Sequence, residues 1–589
     1  MEMDRRSFLK TAGAAGAVLG VGALAACTPG TSASASASAS SSAATSGSSS
    51  AESSAKPTDY MTKAMSEKKW TFEIPPEKVP DSEIKETIEA DIIVIGAGVA
   101  GLTCAAAALQ AGGDVRMFTA STVTVSRGGS NHGINTKVQQ RHGINYTREN
   151  ITGRMKREIA EGSYLIDMQK WHKWINNSEE SMNWLIDIME NAGFETTIEV
   201  GYDDADGVFT APPASHNFID GEIRSGAAQG QGLVIKELER IINEHGVQID
   251  YQVIAQYLIR ENDNKGRVSA VVAKTADGAY VKYVGRKAIV MATGDFSQNK
   301  EMMAKYCPWV LPILADLPVN YDVTFSFGGL GPGDGQKMGL WVGAAWQRVF
   351  PNAPMIDSLG PAPYTQSVGN HSGINLNIRG ERFMNEDTIF SYSCLAGIMQ
   401  PEMTVHYVWD SAYASWFDEW TSFGSTIPQT GGPKGLKPEA ALAAWDARVE
   451  RGTYIKADTI DGVLSQLKNI NVETAKRTIE RYNTYAAKGF DEEYLKNAKL
   501  LAPIKTAPFY GCSITMNPAN FLCITGGLRT NVDMQVCEED DTPIEGLYNI
   551  GIMVGDMYAN CYNFSICGHN LGACCNTFSY MLGRELAAK

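Results

Sequence analysis

The pattern of apolar and polar residues is most regular between residues 90 and 109. Residues 90–95 are apolar except for Asp91, as expected for a strand that is buried on both faces of a parallel sheet. A glycine-rich turn follows at residues 96–101, and residues 102–109 then have a helical pattern. Glycines in this turn permit a tight bend, a close approach to a pyrophosphate and close packing of helix on strand. The segment therefore predicts a dinucleotide-binding site.

Three further apolar segments indicate which dinucleotide is bound. Residues 114–118 predict a second strand, although Thr119 and Ala120 stand where an acidic residue normally binds the adenosine ribose. Residues 287–294 predict a buried strand that ends in the Ala-Thr-Gly of large flavoproteins, and residues 546–551 predict a late strand that returns to the flavin. A nicotinamide enzyme needs neither segment, so the pattern favours FAD.

The N-terminus has the pattern of an export signal, at residues 1–27. Arg5 and Arg6 precede a weakly apolar run at residues 11–26, which is typical of the twin-arginine route. Cys27 follows Leu-Ala-Ala, as at a lipoprotein processing site, so we expect it to carry a lipid that anchors the protein at the outer face of the cell membrane. A short amphipathic helix with an incidental cysteine is the alternative. Residues 28–56 are rich in Ser and Ala and predict a disordered linker.

Composition narrows the class of protein further. A chain of 589 residues is too long for one ordinary core, and a net charge of −15 argues against a nucleic-acid partner. No internal stretch of about 18 or more apolar residues predicts a membrane span. The densest cysteine group, Cys561, Cys567, Cys574 and Cys575, matches no usual zinc or iron–sulfur spacing. We expect these cysteines to pack as small apolar side chains, and we expect no metal.

These segments together resemble the fumarate reductase/succinate dehydrogenase flavoprotein superfamily, which includes 3-ketosteroid dehydrogenases and bacterial enoate reductases. The resemblance covers about residues 88–589, with further motifs at 230–233, 294–300, 333–335, 380–386 and 525–528. It implies an α/β fold in which a Rossmann-like FAD-binding domain (88–350 and 512–589) is interrupted by an α+β capping domain (351–511). The substrate would lie between the domains, against the flavin ring.

The resemblance also implies which residues hold FAD. They are Gly96, Gly98, Ala100, Gly101, Thr119, Gly128, Gly129, Ser130, Gly133, Ala255, Gly294, Asp334, Asn570 and Leu571. Family members that bind flavin covalently carry a histidine at the position of Ser126. The resemblance therefore implies that FAD is held noncovalently.

The chain lacks the positive charges with which fumarate reductases hold their substrate. Phe390 stands at the position of the arginine that protonates fumarate, and Cys523 stands at that of a clamping histidine. No arginine lies between Arg529 and Arg584, where the last clamping arginine would stand. Because burying a dicarboxylate without cationic partners costs several kcal/mol, we do not expect fumarate to be the substrate.

Ketosteroid dehydrogenases instead hold a substrate carbonyl with a tyrosine and with a glycine four residues later. Gly568 fits that glycine, but Phe564 replaces the tyrosine. The candidates for a tyrosine that polarises the carbonyl and delivers a proton are Tyr562, Tyr392 and Tyr558, in that order. The resemblance thus implies an aromatic or polycyclic unsaturated substrate.

Three catalytic candidates have a structural alternative. Arg382 touches the substrate or forms an ion pair with Glu386 or Asp387, and Tyr392 donates a proton or packs in the core. His569 donates a proton or bonds a backbone carbonyl. The choice between these alternatives stays open at the level of sequence.

The sequence predicts an exported FAD-dependent reductase that transfers hydride from flavin to an activated C=C bond of an organic acceptor other than fumarate, in anaerobic respiration. No haem motif or separate FMN-carrying domain is recognisable, so we expect an external electron donor, a membrane or surface cytochrome or flavoprotein. Two alternatives remain. One is a 3-oxosteroid-type dehydrogenase, and the other is a non-catalytic flavin lipoprotein that relays electrons.

Overall fold

The computed structural model describes residues 70–145, 147–199, 213–221, 228–308, 331–356, 373–388, 390–416, 430, 437–515, 521–562, 566 and 568–589. These residues belong to one compact unit, Lys69–Lys589. The predicted signal (1–27) and linker (28–56) lie outside the described residues, as do Phe564 and Cys567.

Seventeen strands are described. They are β1 (Ile84–Ile95), β2 (Val115–Phe118), β3 (Asn131–His132), β4 (Glu195–Glu199), β5 (Ser215–Ile219), β6 (Ile249–Asp250), β7 (Ile254–Arg260), β8 (Val268–Lys274), β9 (Tyr280–Met291), β10 (Pro354–Ile356), β11 (Ile374–Asn377), β12 (Thr404–Asp410), β13 (Ile455–Ala457), β14 (Phe509–Thr515), β15 (Phe521–Ile524), β16 (Gln535–Cys537) and β17 (Pro543–Asn549).

The helices fall between these strands and at the C-terminus. The α-helices of five or more residues are α1 (Val99–Gln110), α2 (Lys137–Arg141), α3 (Arg148–Glu161), α4 (Met168–Asn191), α5 (Ala228–Glu244), α6 (Lys300–Tyr306), α7 (Asp334–Trp341), α8 (Phe390–Ile398), α9 (Pro438–Glu450), α10 (Ile460–Leu464), α11 (Val472–Lys488) and α12 (Phe578–Ala588). A π-helical segment, Leu571–Thr577, leads directly into α12.

The largest sheet has eight strands and contains every strand that the sequence predicted. Its order is β16-β17-β9-β1-β2-β6, and β8 pairs with both β9 and β7. The strands from β17 to β6 are parallel. Ile92, Ile93 and Val94 of β1 are fully buried because helices and loops cover both faces of a parallel sheet. The predictions of strands near residues 90, 115, 289 and 547 are confirmed.

Helix α1 connects the sheet to the candidate site. It follows β1 after the glycine turn and packs against α5 and α12. Leu102, Ala105, Leu582 and Leu586 are buried in the same core cluster. The burial of α1 on nearly all sides fixes its first turn at the carboxyl end of β1, which is where parallel sheets of this type bind their ligands.

A second sheet lies in the middle of the chain. Its four antiparallel strands have the order β11-β12-β14-β13, and Trp409, Trp445 and Tyr510 form part of the core beside it. This sheet lies mainly in the segment predicted to be the capping domain. The predicted boundary between residues 511 and 512 falls inside β14 (Phe509–Thr515), so the sheet continues beyond that boundary.

The described cysteines are all buried, and none of them forms a disulfide. Cys561, Cys574 and Cys575 are among them, in the C-terminal part of the chain. No helix in the described part of the chain is both long and apolar enough to cross a membrane. The described residues also contain no group of three or more His, Cys, Asp or Glu side chains that could hold a metal ion.

Candidate active site

A cavity of about 260 Å³ lies at the carboxyl ends of the central parallel strands. Ile95, Thr119, Ala292 and Ile550, which end or directly follow β1, β2, β9 and β17, all line it. Most of the residues that the resemblance implied for FAD also line it. They are Gly96, Gly98, Ala100, Thr119, Gly128, Gly129, Ser130, Ala255, Gly294, Asp334, Asn570 and Leu571.

The glycine turn after β1 has the shape that a pyrophosphate requires. Gly96 has φ +107°, and a Cβ there would lie 2.4 Å from the Ala292 carbonyl oxygen. A Cβ on Gly98 would meet no atom within 4 Å, so the cavity reaches the backbone at this point. No side chain caps α1 at Gly98, which leaves the first N–H groups of the helix as donors for an anion. These residues fit the diphosphate of FAD.

The cavity continues from this turn towards the end of β2. Thr119, Ser121, Val253 and Ala255 line this part, where a Rossmann-like fold holds the adenosine. The Thr119 hydroxyl already accepts a hydrogen bond from the Ser121 amide at 3.3 Å. Thr119 therefore shapes the turn after β2, and it lacks the negative charge of the acid usual at this position.

Another part of the cavity wall is formed by two backbone segments that pack on each other. One contains Gly128, Gly129 and Ser130, and the other contains Gly568 and Asn570. A Cβ on Gly568 would lie 2.2 Å from the Ser130 carbonyl oxygen, so only glycine allows this approach. Because the turns after β1 and β2 account for the diphosphate and the adenosine, this remaining part would hold the flavin ring.

Two residues predicted to bind FAD do not line the cavity. A Cβ on Gly101 would lie 2.0 Å from the Gly96 carbonyl oxygen, so this glycine allows α1 to pack against the turn. A Cβ on Gly133 would lie 2.9 Å from Cγ of Met182 in α4. Both glycines support the site through packing, and their contact with the cofactor stays a prediction.

The cavity wall contains an ion pair that the sequence did not predict. Arg127 Nη1 lies 3.3 Å from Asp295 Oδ2, and both residues line the cavity. The buried Asp295 carboxylate also accepts hydrogen bonds from the Ser297 amide and hydroxyl and from the Ile524 amide. Arg127 directly precedes the glycines at 128–129, and Asp295 directly follows Gly294. Their position next to cofactor-binding glycines could have identified both residues from the sequence.

Among the three candidate tyrosines, Tyr562 is the one that lines the cavity. Its hydroxyl oxygen accepts a hydrogen bond from the Asn570 amide at 3.1 Å. Cys523 and Cys575 line the same cavity, and burial raises the pKa of both thiols, that of Cys575 to about 12. Both thiols are therefore neutral near pH 7.

Tyr558 and His569 lie behind the cavity wall and do not line it. The Tyr558 hydroxyl lies 2.7 Å from Nδ1 of His569, and both residues are buried. Burial lowers the pKa of His569 well below its usual value, and the nearby His132 acts in the same direction. His569 is therefore neutral and bonds a side chain, not the backbone carbonyl that one alternative proposed. The geometry does not bring these two residues to the cavity wall, and their catalytic role stays a prediction.

Arg382 is fully engaged in structural ion pairs. Its guanidinium donates to the Glu386 carboxylate at 2.7 and 3.0 Å and to the Asp491 carboxylate at 2.9 and 3.2 Å. The side chain is 1% exposed and does not line the cavity. Of the two alternatives for Arg382, the structural ion pair with Glu386 is the one that the geometry favours.

Tyr392 also lies away from the cavity. Its hydroxyl donates a hydrogen bond to the Glu161 carboxylate at 2.6 Å. Tyr392 therefore ties α8 to the end of α3, and the geometry gives no support to its predicted role as proton donor. The side chain of Phe390, at the start of α8, lies outside the described residues.

Comparison with known proteins agrees with this geometry. A family model described as the FAD binding domain matches residues 91–564, which confirms the prediction of FAD. A model described as the twin-arginine translocation pathway signal sequence matches residues 2–26, which confirms the predicted export by the twin-arginine route.

Two relatives align over most of the chain. The vinyl phenol reductase of Lactiplantibacillus plantarum is 24% identical over 512 residues, which are 84% of this chain and 95% of the relative. The digoxin reductase of Eggerthella lenta is 23% identical over 628 residues, which are 99% of this chain and 96% of the relative.

A solved structure shows the same fold. The 3-ketosteroid-Δ4-(5α)-dehydrogenase from Rhodococcus jostii RHA1, in complex with 4-androstene-3,17-dione, superposes with a TM-score of 0.60 at 21% identity. The match covers 87% of this chain and 99% of that chain. The predicted fold class, a Rossmann-like α/β domain of the flavoprotein type, is confirmed.

Proposed function

Because the chain belongs to the FAD binding domain family, within the fumarate reductase/succinate dehydrogenase flavoproteins, we propose that this oxidoreductase reduces an activated carbon–carbon double bond of an organic acceptor other than fumarate. The observation that carries the proposal is the position of Tyr562, which lines the cavity and accepts a hydrogen bond from Asn570, in the segment that would hold the flavin ring. Bound FAD would supply the hydride for the β-carbon of the acceptor. The protein has to bind the cofactor, exclude water and deliver a proton.

Tyr562 can deliver that proton at its hydroxyl oxygen. A phenol has a reference pKa of about 10, so it carries its proton near pH 7 and can polarise a carbonyl before it protonates the α-carbon. The Asn570 amide donates to the same oxygen at 3.1 Å. This bond strengthens as negative charge develops on the oxygen, because a hydrogen bond to an anion is stronger than one to a neutral group.

The proposed substrates are aromatic or polycyclic enones and enoates. The names of the two relatives, vinyl phenol reductase and digoxin reductase, support a ring-containing unsaturated substrate. The sequence departures at Phe390 and Cys523 argue against a C4 dicarboxylate. Arg127 does not replace the missing clamp, since the buried carboxylate of Asp295 already balances its charge. A flat ring would gain about 0.5–1.5 kcal/mol from each aromatic contact beyond its buried area.

We also propose where the protein works. The twin-arginine signal would export the folded, FAD-loaded chain, and Cys27 would anchor it by a lipid at the outer face of the membrane. An external cytochrome or flavoprotein would then supply electrons for anaerobic respiration. Replacing Arg5 and Arg6 by lysine should leave a flavin-loaded precursor in the cytoplasm, and Cys27→Ser should prevent lipidation. Unchanged fractionation of both variants would contradict this location.

Anaerobic turnover of the purified holoenzyme with reduced viologen tests the proposed reaction. The panel contains cinnamate-like acids, 4-vinylphenol, a steroid enone and fumarate. We expect oxidation of viologen with at least one ring-containing compound and a much lower rate with fumarate. Equal rates with fumarate would contradict the substrate class, and no turnover of any compound would contradict the reaction. Oxidation of a saturated 3-oxosteroid, with no reduction of the enone, would favour the dehydrogenase alternative.

A further inference from the structure

Two consecutive residues hold the two tyrosines near the cavity. The side chain of His569 bonds the Tyr558 hydroxyl through Nδ1 at 2.7 Å, and the backbone amide of Asn570 donates to the Tyr562 hydroxyl oxygen at 3.1 Å. The centroids of the two tyrosine rings are 4.4 Å apart. A displacement of the 569–570 backbone would therefore change the contacts of both tyrosines.

The imidazole of His569 is held by packing as well as by its hydrogen bond. It stacks on Trp171 with centroids 4.1 Å apart and an angle of 15° between the planes, and Trp174 lies edge-on at 4.4 Å. The Trp171 indole donates to the carbonyl of Met557 at 3.0 Å, directly before Tyr558. Helix α4 thus fixes the 557–558 segment and the 569–570 segment together.

The Tyr558–His569 bond joins two groups that carry no charge. Burial raises the pKa of Tyr558 well above its usual value, and burial lowers the pKa of His569. Both groups are neutral near pH 7, and the tautomer of His569 decides which of them donates. In either direction, a neutral, buried pair holds geometry and supplies no charge.

We propose that the Tyr558–His569 hydrogen bond positions the hydroxyl of Tyr562 for proton transfer, by fixing the backbone amide of Asn570. Tyr558 and His569 are positioning residues in this account, because they act through Tyr562 and do not line the cavity. The inference rests on the proposed role of Tyr562. It predicts that residues 558 and 569 affect the reaction without contact with the substrate.

Tyr558→Phe is the primary variant, since it removes the hydroxyl and keeps the ring that packs on Tyr562. A net hydrogen-bond contribution of about 1 kcal/mol predicts a kcat roughly five- to tenfold lower. KM and FAD content should not change. In a Tyr562→Phe background the same substitution should have no further effect on kcat, because its effect passes through the missing hydroxyl.

Tyr510→Phe is the matched control. It removes the hydroxyl of a buried tyrosine, which donates a hydrogen bond to Asp446 Oδ1 at 2.9 Å. Tyr510 belongs to β14 of the second sheet and does not line the cavity, so kcat should stay unchanged. His569→Asn keeps a polar group that can donate or accept a hydrogen bond, whereas His569→Leu keeps none. We expect kcat of the Asn variant to exceed that of the Leu variant. If Tyr558→Phe does not fold, the comparison of these two variants tests the inference instead.

A spectroscopic readout separates this inference from the proposed reaction. 3-Fluorotyrosine placed only at residue 562 of the holoenzyme should change its ¹⁹F resonance in Tyr558→Phe and in His569→Leu, but not in Tyr510→Phe. If the wild type turned over no substrate but the resonance still shifted in these two variants, the proposed reaction would be contradicted and the positioning of Tyr562 would be supported. The positioning role would be overturned if the resonance did not shift. It would also be overturned if Tyr558→Phe lowered kcat equally in the wild type and in the Tyr562→Phe background.

Discussion

The hydroxyl of Tyr392 donates a hydrogen bond to Oε2 of Glu161 at a distance of 2.6 Å, and this bond connects α8 to the last turn of α3. The same carboxylate accepts from Arg157 Nε at 2.7 Å, and the Glu161 carbonyl accepts from Asn560 at 2.9 Å. Glu161 therefore connects three segments of the chain. The tyrosine that follows the position of the family's catalytic arginine contributes to this connection and not to the cavity wall.

Tyr392→Phe should lower stability and leave the reaction intact. Loss of a hydrogen bond to a charged group costs about 1.5–3 kcal/mol, and we expect the lower end because the Glu161 side chain is 23% exposed. The free energy of unfolding, measured by urea titration of the holoenzyme, checks the expected loss. If Tyr392→Phe lowered kcat a hundredfold or more with FAD still bound, Tyr392 would be a catalytic residue.

Breaking the buried ion pairs of Arg382 should destabilise the protein far more than breaking an exposed pair. Arg382→Met removes the guanidinium that pairs with Glu386 and Asp491, which costs about 3–5 kcal/mol for a buried pair. Arg379→Ala is the control, since its pair with Glu381 is exposed and is worth about 0–1 kcal/mol. Comparison of their denaturation midpoints tests the difference. Equal midpoints would show that the buried cluster adds nothing to stability.

Lys496 gives the folded protein a specific dependence on pH. Its ammonium is buried, 2.6 Å from the Gly373 carbonyl oxygen and 3.5 Å from Glu386. Burial, opposed by the charge of Glu386, lowers the pKa of Lys496 from 10.5 to about 8. Between these values the unfolded chain binds more protons than the folded chain, so this contribution to stability rises with pH. It is fully present above pH 10.5 and lost as the pH falls through 8.

Lys496→Met removes this titration. Between pH 8 and 10.5, the free energy of unfolding of the wild type should rise with pH relative to that of the variant, with a slope of up to about 1.4 kcal/mol per pH unit. Urea denaturation at several pH values measures the difference. Parallel curves for the two proteins would mean that the pKa of Lys496 is the same in the folded and unfolded chain.

The local sequence pattern carried the information for the cofactor site but not for the polar contacts. The glycine turn at 96–101 and the ends of β1, β2 and β9 were predictable, because each depends on residues adjacent in the chain. The partner of Tyr392 is 231 residues away, and the Asp491 partner of Arg382 is 109 residues away. Such pairs depend on the packing of elements that are distant in the chain. The pattern of apolar and polar residues does not predict that packing.

FAD should be released completely when the protein is denatured with acid. Ser126 lines the cavity at the position where covalent members carry histidine. Burial raises the pKa of Cys523 and Cys575, so these cavity thiols are protonated and poor nucleophiles. The absorbance of supernatant and precipitate after treatment with trichloroacetic acid measures the distribution of flavin. Yellow colour in the washed precipitate would show a covalent bond.

The central claim is that Tyr562 supplies the proton when the double bond is reduced. The most direct measurement is a single anaerobic turnover, in which dithionite-reduced holoenzyme is mixed with the best ring-containing substrate and the return of oxidised flavin absorbance is followed by stopped flow. Tyr562→Phe should slow this step by about 10²–10⁴-fold with FAD content unchanged, as expected for loss of a general acid. Reoxidation of the variant at the wild-type rate would contradict the account.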